Sequence, residues 1–318
     1  MPSLLTLPEE LILIICENMT RPSLATFLRT NTKAHRIGQY VLYKLPPTEK
    51  LRVFTWALTN ARHTSTAYLL PSIVALSTTD TTIGATALAS ACAATHVVAV
   101  TALLDGGVSA NASFPNGTRT ALIAAAEGTN YNDAAQCVRL LLSHGANPDA
   151  TDSTNRTALH FAASRGNLPV INDLLGAGAD VHARNNLNQT PILLAASRDQ
   201  YLAVQRLLGN GANINDSDTR GRTVLIIAAD RGMLNIVRLA VQSGADVNAV
   251  NGFGRTAVSW AAEHGNENVV EVLVGAGCDV NLRDRMETSP LDYCVLSTPA
   301  GRRVRALLVK AGAEERGA

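Results

Sequence analysis

The chain has 318 residues, of which 47% are apolar, 17% charged and 4% aromatic, with a formal net charge of +1. That is ample material for a buried core, and a charged fraction below the roughly 25% usual for soluble proteins. A near-neutral balance excludes an overall electrostatic drive toward nucleic acid or anionic membranes, so any basic function has to be local.

The first element in chain order is residues 1–47. "LPEELILIICENMTRPSLATFLRTNTKAHRIGQYVLYK" (Leu7–Lys44) opens with Leu-Pro and an acidic pair. An amphipathic helix is expected next, then a break at Thr20–Pro22, then a second helix carrying Leu24, Phe27 and Leu28. The apolar run Leu11–Cys16 is short and follows Glu9 and Glu10 with no basic stretch, which argues against a secretory signal. No stretch of the chain reaches the ~18 apolar residues of a membrane span.

This segment resembles an F-box. Leu7, Pro8, Glu10, Leu11, Ile14 or Ile15, Met19 and Leu24 stand at its apolar and acidic positions, and the tail resembles the ending common in fungal F-box proteins. Two departures are Ser23, where aspartate is usual, and His35, near a common tryptophan. The resemblance implies contact with a Skp-type adaptor of a cullin ubiquitin ligase through residues 7–44, with Leu7, Pro8, Leu11, Ile15 and Leu24 as the contact residues. The alternative is that these helices only cap the array that follows, since the ends of a repeat stack need covering.

Residues 48–83, with "VFTWALTNARHTSTAYLLPSI" (Val53–Ile73), read as a degenerate leading copy of a unit that is clear from residue 84 onward. Thr157, Thr190, Thr223 and Thr256 are 33 residues apart, and so are Gly145, Gly178, Gly211, Gly244 and Gly277. Two independent landmarks thus share one period. Thr86–Gly107 and Thr120–Gly145 bracket less regular units, the latter with four extra residues around Glu127–Asp133 that are expected in an exposed loop at the helix ends. Thr288–Gly312 brackets the last, with three extra near "STPAG".

Within a unit the threonine opens a first helix by capping its free N–H groups. The pairs Ala162–Ala163, Ala195–Ala196, Ala228–Ala229 and Ala261–Ala262 let helices approach closely. Gly166, Gly232 and Gly265 end the first helix, and Pro169 sits in the first turn of the second.

"TALH", "TPIL", "TVLI" and "TAVS", with "GADVHA", "GANIND", "GADVNA" and "GCDVNL", resemble the ankyrin signatures T-P-L-H and G-A-D-V-N-A. The resemblance covers about residues 84–313, in seven repeats after the degenerate one. It implies an all-α ankyrin solenoid whose hairpin tips and first helices form a concave binding surface. Before each threonine stand Arg119, Arg156, Gln189, Arg222 and Arg255; eight after it stand Arg165, Arg198, Arg231 and His264. As a set these ladders point to an acidic protein partner, although solvation of a charged face accounts for any single arginine. Ser164, Ser197, Asp230 and Glu263, seven after the threonine, bring acid in toward the C-terminal end.

Leu187, Phe253 and Met286 are apolar residues at tips. Phe253 is a contact residue for a partner, or it folds back on its neighbouring tip. Phe161 and Trp260 are assigned to packing, and His160 to a structural bond with its threonine.

The five cysteines are an odd number at wide spacings with no C-x-x-C, which favours free thiols in the cytoplasm or nucleus over a zinc site or a disulfide framework. No H-E-x-x-H, G-x-S-x-G or phosphate-loop motif occurs. Asp230, Glu263 and His264 share a groove but read as recognition groups, so no catalytic residue, metal or cofactor is assigned. Nucleic acid is disfavoured for lack of aromatic platforms. The expectation is a monomeric, non-enzymatic adaptor that serves a ubiquitin ligase. Its alternative is a scaffold or transcription coregulator without a ligase role, tied to a fungal secondary-metabolite pathway.

Overall fold

The computed structural model describes residues 46–59, 63–114 and 119–315. The F-box-like positions Leu7, Pro8, Leu11, Ile15 and Leu24 lie outside the described residues. Among those described every regular element is a helix, and three isolated bridges, Ser113 with Thr120, Ser217 with Thr223 and Val250 with Thr256, close hairpin bases. The contacts divide the chain into two compact units between Ser153 and Thr154.

The first unit holds α1 (Pro47–Thr59), α2 (His63–Ser77), α3 (Thr81–Ala93), α4 (Val97–Asp105), α5 (Ala121–Ala126) and α6 (Tyr131–Ser143). They pack as successive pairs, with α3 lying against both α1 and α5. Phe54, Ala57 and Ile73 join α1 to α2 with no exposed surface.

Two sequence expectations change here. Asp80 caps α3, accepting the N–H groups of Thr82 at 2.9 Å and Ile83 at 3.4 Å. Thr86 therefore lies inside the helix, its hydroxyl donating to the Thr82 carbonyl, and does not open it. The four extra residues of the next unit widen no loop either. They lengthen α6 to 13 residues, against 9 in its counterpart α8, because Asn130 caps the helix early and Ala134 and Ala135 find buried sites. One helical turn takes up nearly four residues.

The second unit holds α7 (Ala158–Arg165), α8 (Leu168–Gly176), α9 (Pro191–Ser197), α10 (Tyr201–Leu208), α11 (Val224–Asp230), α12 (Leu234–Gln242), α13 (Ala257–Glu263), α14 (Glu267–Gly275) and α15 (Pro299–Lys310). The first helices α7, α9, α11 and α13 stack on one another, and the second helices α8, α10, α12 and α14 form a parallel row. All four alanine pairs are fully buried between first helices, which is what their small side chains allow.

Thr223 and Thr256 accept the N–H three residues on at 3.3 Å. Thr157 does its capping with His160, whose Nδ1 accepts the Thr157 N–H at 3.1 Å. The same imidazole reaches the Gln189 carbonyl of the next repeat through Nε2 at 3.0 Å, so it donates from Nε2 and stitches two units.

The last repeat departs from its bracket. Asp284 N–H binds the Thr288 carbonyl at 3.1 Å as Asn251 N–H binds that of Arg255 at 3.0 Å, so Thr288 occupies the arginine position. Ser289 is the true opener, with its hydroxyl 2.9 Å from Asp292. No first helix follows; residues 290–298 run as turns into α15.

Candidate interaction surface

The tips of the second unit are built the same way each time. Asn185, Asp218, Asn251 and Asp284 each bend the chain back by accepting two N–H groups. These come from the residues two and four further on, at 2.8–3.1 Å. Neighbouring tips are then tied by main chain. Asn186 N–H binds the Thr154 carbonyl, Thr219 that of Leu187, Gly252 that of Arg220 and Arg285 that of Phe253, all at 2.8–3.0 Å.

This ladder places Thr154, Leu187, Arg220, Phe253 and Met286 at one equivalent position. Leu187 is 58% exposed, Phe253 64% and Met286 81%. Phe253 therefore does not fold back into cover. Met286 joins the row by the same bonds that place Phe253.

Below the tips two of the residues before the threonines, Arg156 and Arg255, meet an aromatic ring on their first helix. Arg156 is half-buried, with its guanidinium carbon 4.3 Å from the Phe161 ring centroid and its Nε donating to the Thr154 hydroxyl at 2.8 Å. Arg222 forms a paired contact with Asp218, whose carboxylate it meets at 2.7 and 2.9 Å. Arg255 corrects the expectation of a solvated rung. It is only 8% exposed, clamped between Trp260 at 3.6 Å and Tyr293 at 3.9 Å. Its Nη2 contacts Glu263 at 2.5 Å and the Ser259 carbonyl at 3.3 Å.

Burial of a charge requires a partner, and here a carboxylate and two ring faces supply it. Tyr293 in turn donates its hydroxyl to the buried Asp284. Burial disfavours the charge on Asp284, yet the bonds from Tyr293, Thr288 and Met286, with the Arg255 charge, hold its carboxyl below the usual value.

The row eight residues after the threonines stays in solvent. Arg165, Arg198, Arg231 and His264 are all exposed. Arg231 donates to the Ser197 carbonyl of the preceding repeat. His264 stacks on Trp260, the ring centroids 6.3 Å apart, and lies 3.6 Å from Asp230. The structure thus brings Asp230, Glu263 and His264 together, but Glu263 is spent on Arg255 and His264 Nδ1 faces the Trp260 carbonyl at 3.1 Å.

Sequence reasoning missed Tyr293 and Asp284, which complete the Arg255 clamp. Counting 33 residues on from Trp260 reaches Tyr293, and that was the available signal.

An open groove of about 420 Å³ runs between α7, α9 and the Leu187 tip. Arg156, Phe161, Ser164, Leu187, Leu194 and Arg198 line it.

Cys92, Cys137, Cys278 and Cys294 are free and buried. Burial pushes the Cys92 thiol well above its ordinary value, Cys137 up to about 12, and Cys278 and Cys294 up to about 11. Among the described residues no group of three His, Cys, Asp or Glu is placed to hold a metal ion, and no helix is long and apolar enough to cross a membrane.

Family models for ankyrin repeats match residues 54–152, 159–251, 192–284 and 241–315, and a further one matches residues 133–175. Among curated proteins the chain is 32% identical over 137 residues to the ankyrin repeat, SAM and basic leucine zipper domain-containing protein 1 of Ovis aries, and 33% identical to that of Loxodonta africana. Each match takes in 43% of this chain and only 28% of the relative.

Among solved structures, an ankyrin repeat domain from Acinetobacter baumannii is similar at 34% identity and TM-score 0.55, covering 61% of this chain and 98% of that one. The ankyrin repeat domain of Bcl-3, a member of the IkappaB family, is similar at 31% and 0.61, covering 70% and 97%. The human ASB11 ankyrin repeat domain, at 23% and 0.62 over 72% and 99%, shares the fold. The periodic tips, the buried alanine pairs and these matches agree, and the chain belongs to the ankyrin-repeat family.

Proposed function

We propose that the protein is an adaptor that holds a protein partner on the tips and first helices of residues 154–318, and that residues 7–44 hand this partner to a Skp-type adaptor of a cullin ubiquitin ligase. Ankyrin repeats mark a protein–protein interaction scaffold. The observation that carries the partner surface is the row of exposed apolar tips, Leu187, Phe253 and Met286, beside arginines on the same face. Large apolar side chains held in solvent by a rigid hydrogen-bonded tip are suited to become anchors once a partner covers them.

The ligase half of the reading rests on the sequence of residues 7–44, where Leu7, Pro8, Leu11, Ile15 and Leu24 follow the F-box pattern. Its test is copurification of the full chain with a purified Skp-type adaptor. Binding that disappears on Leu7→Ala with Pro8→Ala, while the helical signal of the array is unchanged, supports it. No binding by the unaltered chain overturns it and leaves a scaffold whose N-terminal helices cap the stack.

A further inference from the structure

We propose that the groove beneath the Leu187 tip is the docking pocket for a short partner segment that carries an apolar side chain next to a carboxylate, an inference that rests on the interaction reading above. The first-helix face does not present one uniform basic ladder. Arg222 is neutralised by Asp218 and Arg255 by Glu263, the latter pair being closed off by Trp260 and Tyr293. Farther along the face, Asp230 adds negative charge beside His264.

The groove between α7 and α9 differs in kind. No carboxylate lines it. Arg198 stands exposed at its rim and makes no ion pair among the described residues. Arg156 holds the opposite side, fixed over Phe161.

The lining between the two arginines mixes Leu187 and Leu194 with the polar side chains of Ser164, Asn185, Asn186 and Gln189. Leu194 lines it beside the nearly covered ring of Phe161, and Leu187 is more than half exposed at the mouth. At about 420 Å³ the space falls within the range of sites that bury a small ligand or a few side chains. A carboxylate meeting Arg198 gains a charge-assisted bond, and an apolar neighbour covering Leu187 gains burial. An acidic segment lacking the apolar residue gains only the first, and an apolar one lacking the acid only the second. A single-stranded nucleic acid would need exposed stacking faces, and Phe161 is already 92% covered, by its 8% exposure.

The test uses the full chain with methyl-labelled leucines and three tetrapeptides, followed by NMR. These are acetyl-Gly-Asp-Leu-Gly-amide, the same peptide with Asn for Asp, and the same with Gly for Leu. The first should shift the Leu187 and Leu194 methyl signals. Its apparent affinity should fall about tenfold in either altered peptide and in Arg198→Ala, the loss of one charge-assisted bond or one apolar contact. Arg198→Lys should restore part of it, and Arg238→Ala on the second-helix row should change nothing.

Equal response to the Asp and Asn peptides, or full response in Arg198→Ala, overturns the proposal. If a partner is captured through the Phe253 and Met286 tips while no peptide shifts Leu187 or Leu194, the pocket fails and the interaction reading stands. If the peptides bind in the stated order while no partner is captured, the pocket stands and the interaction reading fails.

Discussion

Arg255 meets two rings at once, its guanidinium carbon 3.6 Å from the Trp260 ring centroid and 3.9 Å from that of Tyr293. A tip, a first helix and the last repeat are thereby joined by one side chain. The last repeat lacks a first helix of its own, so this clamp carries a share of its anchorage. Desolvated cation–π contacts contribute about 2 kcal/mol or more. Arg255→Ala should therefore destabilise the second unit by about 2–3 kcal/mol in urea unfolding, with hydrogen-exchange protection lost first in α13 and α15. Arg255→Lys should recover less than half, because an ammonium cannot stack between two rings. A change within about 0.5 kcal/mol, the range of an ordinary surface site, would contradict the clamp.

Gly254 and Gly244 both hold a φ of +80°, but only one has neighbours. A Cβ at Gly254 would lie 3.0 Å from the Arg285 main-chain nitrogen, the atom that bonds the Phe253 carbonyl, whereas at Gly244 nothing comes within 4 Å. Gly244→Ala should cost about 1 kcal/mol, the strain of a left-handed alanine. Gly254→Ala should cost more and should weaken exchange protection of the Arg285 N–H specifically. Equal effects at the two positions would show that tip-to-tip bonding carries no extra stability.

His160 bridges its own helix start to the next repeat, bonding Thr157 N–H and the Gln189 carbonyl from a fully buried ring. His160→Ala removes both bonds and leaves a cavity, a loss of about 2–4 kcal/mol. His160→Asn should retain part of the Thr157 bond without reaching Gln189. Unfolding midpoints of the two variants measure the difference; indistinguishable midpoints would refute the bridge.

The buried thiols set a pH dependence. Cys137 ionises near 12 and Cys278 and Cys294 near 11 in the fold, against 9.0 for an unhindered thiol, because burial disfavours the thiolate. Their contribution to stability is complete below about pH 9 and is lost as pH rises through the folded values. Stability should fall between pH 9 and 12, less so when Cys137, Cys278 and Cys294 are replaced by alanine and each variant is compared with its own value at pH 7. A thiol reagent at pH 8 should label these positions only as the protein unfolds, and rapid labelling of Cys137, Cys278 or Cys294 in the native chain, located by peptide mapping, would contradict their burial.

The period, the alanine pairs and the threonine positions were legible because each depends on residues inside one unit, although the Thr190 hydroxyl caps no N–H of the helix it opens. What escaped depends on neighbours between units. Arg156, Arg222 and Arg255 share a residue type and a register, yet only Arg255 is buried, since only there do an aromatic in its own repeat and one in the next enclose it. Thr86 misled because a landmark threonine was matched without a tip before it, while Asp80 offered the better cap. Thr288 misled by one residue because serine can do the work of threonine, and Ser289 does. The apolar tips Leu187 and Phe253 were readable as tips, but their exposure is a consequence of the tip-to-tip bonds, which no single unit shows.

Site-specific photo-crosslinking of the full chain in cell extract, with a benzophenone side chain placed in turn at Leu187, Phe253, Gln205 and Glu271, decides where a partner sits. The first two stand at tips and the last two are exposed on the second helices α10 and α14. Discrete protein adducts at Leu187 and Phe253, and none at Gln205 and Glu271, are the predicted result. Adducts confined to Gln205 and Glu271 would contradict the account and move the partner to the second-helix row.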